Sequence, residues 1–347
     1  MSKLAHGLAL ATAGATFVLI LFGGLVTNTG AALAVPDWPT TFGYNMFLYP
    51  WSRMVGGIFY EHSHRLIGAV VGLLTLGLGA ALWRAGGRLR WLGLVAVAAV
   101  VVQGLLGGLR VVLLQATLAI LHGCLAQAFF GLLVAIALLT SRAGPPALRG
   151  LPPATRALTL ATAALVYVQI VFGALLTHGG RIDLHLAGTL GVLTLAPMVT
   201  ARLRRGEDSV AAPAARALLA LLGLQLLLGV GAFVGRFSSL VLPGGPVTGL
   251  VLPVAHRLTG SLILGAAVVL ALRVSALGAI GMGGPEVAPH TPFRSLKGSA
   301  HRQSAAHLAR PRSEHPGEAV ALLDTPQRSE HPGGAAPRLV VVPRGAR

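Results

Sequence analysis

The residues Glu61-His62-Ser63-His64-Arg65 open an apolar stretch that runs on to Trp83. A carboxylate, two imidazoles and a guanidinium in a membrane-length hydrophobic segment are costly unless paired or ligated, which makes them candidates for chemistry. Helical spacing sorts them. Glu61, His64 and Arg65 stand at i, i+3 and i+4 and share a face, whereas His62 is turned about 200° from His64. One ligand can therefore be met by His64 with Glu61 a turn away, but not by both histidines. The plainer reading is a Glu61–Arg65 ion pair beside a hydrogen-bonded histidine at a helix end. Three further histidines, His122, His185 and His256, stand singly in other apolar runs, and imidazole is a common metal ligand.

The elements that must position these groups are helices in a bilayer. The chain has 347 residues, 54% apolar and 11% charged, with a mean hydropathy of +0.75, which excludes an ordinary soluble domain. Apolar runs at 8–27, 56–82, 91–109, 115–140, 157–177, 184–200, 216–234 and 252–273 each approach the ~20 residues that cross a bilayer. The fold class expected is all-α integral membrane, with eight transmembrane helices. Ala32-Leu33-Ala34 resembles a signal-cleavage site, but the preceding apolar run is too long for a signal peptide and belongs to the repeat described below. The excess of basic residues does not point to nucleic acid, because Lys and Arg flank the apolar runs, as lipid and topology selection place them. Twelve of them lie at one set of termini and loops and four (Arg53, Arg110, Arg181, Arg236) at the other, so both termini are expected in the cytoplasm. A single cysteine, Cys124, excludes an intrachain disulfide and any cysteine-based metal cluster, and it reads as buried packing. Residues 277–347 are rich in Pro, Gly, Ser, Arg and His and repeat Arg-Ser-Glu-His-Pro-Gly at 312 and 328, the composition of a disordered cytoplasmic tail.

The membrane part repeats internally. Residues 18–30 lie over 168–180 with seven identities in thirteen positions, and Gln103-xxx-Gly107 matches Gln225-xxx-Gly229. These matches pair spans 1–4 with spans 5–8 as two pseudo-symmetric four-helix bundles, 1–150 and 151–276, related by an axis along the membrane normal. The glycines would let helices approach closely. His64, His122, His185 and His256 fall one each on spans 2, 4, 6 and 8, at 20, 20, 17 and 17 residues from the next inner arginine. At 1.5 Å per residue that is one layer, ~25–30 Å above the cytoplasmic boundary. Zinc would want three or four close ligands, whereas a planar macrocycle held between helices needs one imidazole from each side. Two histidines per four-helix bundle match haem, and Arg65 and Arg257, each next to one of the four histidines, suit its propionates.

Thr27-x-Thr29-Gly30, Pro36-Asp37-Trp38-Pro39, Glu61-His62-Ser63-His64-Arg65 and His256-Arg257 resemble the motifs of the haem A synthase family of integral membrane oxygenases. The resemblance runs through all eight spans, is strongest over residues 23–75 and stops at the tail. It implies a first bundle that binds the substrate haem O through His64 and His122, with Glu61 as the catalytic carboxylate. It implies a second bundle that holds a haem b cofactor through His185 and His256. The implied reaction oxidises one ring methyl of haem O to a formyl group, giving haem A for terminal oxidases. A haem O synthase would supply the substrate, and no motif names the electron donor. The chain departs from the family in two places. The outer-loop cysteine pair of many members is replaced by Val35 and Thr41, so no thiol chemistry operates there. The outer loop before span 6, Gly179 to Asp183, is short. The sequence leaves open a di-haem b-type electron carrier without substrate oxidation, a transporter of parallel repeats, and assembly as a homo-oligomer.

Overall fold

The structure is a computed structural model and describes residues 3–142, 148, 150–240 and 242–275. The proposed tail, 277–347, lies outside the described residues. Among the described residues there are eight α-helices: α1 (Lys3–Asn28), α2 (Gly57–Ala85), α3 (Gly87–Leu113), α4 (Ala116–Thr140), α5 (Pro153–Gly179), α6 (Ile182–Leu203), α7 (Ala211–Phe237) and α8 (Gly245–Val274). All eight are long and apolar enough to cross a bilayer, and each of the eight apolar runs falls on its helix. The chain is a multi-pass membrane protein. Helix ends follow local chemistry. Gly86 at φ 73° separates α2 from α3, and Gly180 at φ 67° ends α5, both in backbone conformations that side chains with a Cβ disfavour. Pro152 and Pro153 start α5, where a missing N–H costs nothing.

Helices α1–α4 close a ring of neighbours (α1 on α2, α2 on α3, α3 on α4, α4 on α1), and α5–α8 close a second in the same order. The rings meet where α4 touches α8 and α5, and where α1 touches α8. The most apolar window is 50% buried in both α4 and α8 against 11% in α7, which makes α4 and α8 the central helices. All eight helices belong to one compact unit.

The tightly packed cores are not where the histidines are. In the first ring the buried cluster comprises Ala5, Ala9, Val71, Leu78, Leu82, Leu133 and Ile136 among others, and in the second Val192, Val199, Leu218, Ile263 and Leu270 among others. On the even-numbered helices these clusters begin at Val71, Phe129, Val192 and Ile263, each seven residues beyond its histidine. Two helical turns, about 10 Å, thus separate each imidazole from the dispersion-packed floor of its ring. At the far end from the histidines, Asp208 accepts from the amides of Val210 (3.0 Å) and Ala211 (2.6 Å) at the start of α7 and pairs with the buried Arg273 of α8. Burial pushes the Asp208 carboxyl up, but Arg273 and these amides outweigh it and hold the carboxyl below its ordinary range.

Candidate functional site: two imidazole pairs under one capped end

The 29–56 connection folds over the histidine end of the first ring. Its frame is Asp37, which accepts from Thr40 Oγ1 (2.5 Å) and from the amides of Phe42 (2.7 Å) and Gly43 (2.9 Å). Partial burial raises the Asp37 carboxyl, and the bonds from Gly43, Thr40 and Phe42 more than offset it, so the group lies below its ordinary range. Arg65 fastens the loop to α2. Its Nη1 donates to the carbonyls of Asp37 (2.7 Å) and Thr40 (3.1 Å), and its Nη2 to Val35 O (2.9 Å) and Glu61 Oε1 (3.0 Å). Glu61 Oε2 accepts from the Val35 amide at 3.0 Å. Thr41 Oγ1 meets His62 Nδ1 at 3.1 Å, and the Tyr49 ring packs on His62. Trp38 lies against Gly108 of α3, where any Cβ would run into the indole. The two positions without cysteine, Val35 and Thr41, are both fully buried and bind Glu61 and His62 instead. Among the described residues the second ring carries no such cap: its connections at this end are the short segments 180–181 and 238–244.

Below the cap the four histidines form two pairs. The rings of His64 and His122 have centroids 6.3 Å apart, and those of His185 and His256 are 6.2 Å apart. Each ring sits against a glycine of the preceding helix. A Cβ on Gly23, Gly107, Gly173 or Gly229 would lie 3.3, 3.1, 3.4 or 2.9 Å from Cε1 of His64, His122, His185 or His256. Cε1 and Nδ1 are the ring atoms nearest each glycine, which turns Nε2 away from it. Residue i−4 from each glycine completes the seat. His122 Nδ1 donates to the Gln103 carbonyl (3.2 Å), while the Gln103 amide donates back to His122 O (2.8 Å). His256 Nδ1 donates to the Gln225 carbonyl at 3.1 Å. The Gln169 amide donates to His185 O (3.0 Å) and Thr189 (2.7 Å) and also meets His185 Nδ1 (3.2 Å), so here the ring nitrogen faces an amide instead of a carbonyl. Leu19 holds the equivalent place before Gly23, and His64 Nδ1, turned toward its carbonyl, makes no hydrogen bond of ordinary geometry. The sequence match Gln-xxx-Gly is thus an imidazole seat built from a carbonyl and a missing Cβ. Close helix approach alone misses this role.

The spacing of the rings bears on what could bind between them. A metal–imidazole bond is about 2.0 Å and a ring nitrogen sits about 1.2 Å from its centroid, so two imidazoles on opposite sides of one metal place their centroids about 6.4 Å apart. The two pairs, at 6.3 and 6.2 Å, lie close to that spacing. Fixing Nδ1 as the protonated nitrogen, as the Gln103 and Gln225 carbonyls do, presents the Nε2 lone pair. In the second pair the Gln225 amide lies 3.2 Å from His256 Nε2, a contact that a metal on this nitrogen would have to displace. Among the described residues no three of His, Cys, Asp and Glu converge as a metal-ion site, which leaves zinc without a ligand set.

The structure divides the groups that the Glu61–Arg65 stretch brings together in sequence. His64 faces the ring interior, while Glu61 and Arg65 face the loop. Arg65 has its four Nη hydrogens committed to loop carbonyls and Glu61, so its evident task is holding the cap, with only Nε–H left for a propionate. Arg257 passes against Gly24 of α1, at the meeting of the two rings. His62 is no part of either pair, yet it is 1% exposed and anchors the loop, a role that spacing did not signal.

Fold and site together define an eight-helix membrane protein with two half-buried imidazole pairs toward one end of the bundle, one of them under a fixed loop. Residues 6–185 match the profile of the family described as "Cytochrome oxidase assembly protein", which is more than half of the chain. The chain belongs to that family. It is similar to a curated protein from Shouchella clausii named "Heme A synthase", 33% identical over 122 residues, which cover 34% of this chain and 39% of the relative. The chain therefore spans well under half the length of the curated relative it matches.

Proposed function

We propose that this protein is a haem A synthase, a membrane oxidoreductase that converts a ring methyl of haem O to a formyl group. The supporting observation is the pair of 6.3 and 6.2 Å imidazole separations in a member of this family. On this reading His64 and His122 hold the substrate haem O, and His185 and His256 hold a haem b cofactor. The iron porphyrins, when bound, supply oxygen activation and electron transfer. The asymmetry of the cap favours the first ring, residues 1–150, as the place of reaction. A site closed by Trp38, Arg65 and the 35–41 backbone keeps water from a reactive centre, whereas a cofactor that only relays electrons needs no lid. Glu61 stands one turn from His64 with its carboxylate fixed by Arg65 and the Val35 amide, placed to offset developing positive charge or to take a proton. The basic-residue bias puts the capped end outside and both termini in the cytoplasm of the cell membrane.

The test is conversion. Cells making haem O and this protein, but no other haem A synthase, should accumulate haem A, and His64→Ala or His122→Ala should abolish it. A purified protein that holds two bis-imidazole haems yet converts no haem O would be an electron carrier and would end this reading.

A further inference from the structure

At the capped end, between the two rings, a cavity of ≈ 200 Å³ is lined by Leu33, Arg110, Gln115, Ala116, Ala119 and His178, among others. It joins the end of α3, the start of α4 and the end of α5. Arg110 stands three residues beyond the seat glycine Gly107, on the same helix face and about 4.5 Å nearer the membrane surface. His178 stands five residues beyond Gly173. Arg110 is within electrostatic reach of His64, His122 and His178, and Arg257 of His178.

Among the described residues no carboxylate pairs with the Arg110 guanidinium. The described acidic residues are Asp37, Glu61, Asp183, Glu207 and Asp208. Asp37 is turned into its own loop, Glu61, Asp183 and Asp208 are paired with Arg65, Arg181 and Arg273, and Glu207 lies at the other end of the bundle, between α6 and α7. Among the described residues the Arg110 guanidinium has neither a hydrogen bond nor an ion pair. A partly buried guanidinium without an anion is costly, and an entering carboxylate relieves that cost. Arg65, the propionate candidate by sequence, is meanwhile spent on the cap.

We infer that Arg110, with His178 across the cavity, receives the carboxylates of the tetrapyrrole held by His64 and His122. The inference rests on the haem-binding reading. Carboxylates of a macrocycle lodged in hydrocarbon turn to the polar boundary, and Arg110 is the free guanidinium one turn outward of the imidazole seat. A guanidinium fits a carboxylate with two parallel N–H bonds, which gives orientation as well as affinity. Fixing the carboxylates sets which ring edge lies toward α2 and Glu61, so Arg110 would act in choosing the methyl that is oxidised.

The test uses full-length, haem-depleted protein in detergent carrying His256→Ala, so that the first pair alone can take iron. The probes are haem b and its dimethyl ester, titrated by Soret absorbance. The parent should bind the diacid more tightly than the ester. Arg110→Gln should weaken diacid binding on the order of tenfold or more, the usual loss of a charge-assisted contact, and leave ester binding unchanged. Arg110→Lys should recover part of the loss. Equal weakening for both probes would show a structural role, no weakening for either would show no role, and each overturns the inference. Failure of the parent to bind either probe would instead remove the haem-binding reading on which it stands.

Discussion

Replacing Gly107 by Ala tests whether the seats hold the imidazoles. The new Cβ would lie 3.1 Å from His122 Cε1 and 3.5 Å from Nδ1, and at Gly229 the corresponding distances to His256 are 2.9 and 3.2 Å. Carbon atoms pack at about 3.5–4.0 Å, so the ring must retreat by roughly 0.5 Å at Gly107 and somewhat more at Gly229. Metal–ligand distances tolerate only about 0.2 Å, and the retreat also stretches the bonds to the Gln103 and Gln225 carbonyls. Overpacking of this kind costs about 1–3 kcal/mol, against a gain of about 1 kcal/mol from placing Ala in a helix. The helix gain is shared by the apo and haem-bound protein, so the loss of affinity is the overpacking cost itself, about 1–3 kcal/mol or roughly 5- to 150-fold. Gly104 on α3 and Gly223 on α7 are matched controls, because nothing lies within 4 Å of a Cβ at either. Haem transfer to apomyoglobin, followed by Soret absorbance, should be faster for Gly107→Ala and Gly229→Ala and unchanged for Gly104→Ala and Gly223→Ala. Equal retention and identical low-spin spectra in all four variants would refute the argument that these glycines seat the ligands.

Glu61→Gln should retain haem O while conversion to haem A falls by roughly 100-fold, as for other lost charge-stabilising groups, with partly oxidised haem accumulating. Wild-type turnover would confine Glu61 to holding Arg65 and the Val35 amide. Thr41→Val leaves His62 Nδ1 without its loop partner at a cost of about 1–3 kcal/mol, and hydrogen exchange should speed up over 35–49 but not in the floor of the ring. Unchanged exchange there would mean that the His62 contact does not hold the cap. Asp208 has a folded-state pKa below its ordinary 3.8, so its stabilisation is complete above that value and disappears as pH falls through the lower folded-state one. Asp208→Asn should lower thermal stability in detergent at pH 7, by up to about 3 kcal/mol, and the gap to wild type should close below pH 4. A gap that stays constant down to pH 3 would show that the Arg273 pair is not its source.

Much of this protein is legible without coordinates, for a physical reason. A bilayer demands ~20 apolar residues per crossing and satisfied backbone within each, so the eight helices are local properties of the chain. The same constraint makes membrane-embedded histidines rare and therefore readable, and their common depth follows from rise per residue alone. What lay beyond the sequence depends on which faces meet. Spacing puts Glu61, His64 and Arg65 on one side of α2, but a helix face spans more than 100°, and only packing shows that the loop takes Glu61 and Arg65 while the ring interior takes His64. His62 looked idle because its partner, Thr41, comes from a connection without periodicity. The seat glycines were visible as a repeat, yet their purpose needs the neighbouring helix, since a missing Cβ means nothing until something occupies its place. Arg110 and His178 are 68 residues apart and belong to different halves of the repeat. Only the meeting of α4 with α5 brings them to one cavity, because the contact between the rings is fixed by tertiary packing and by no local preference of either segment.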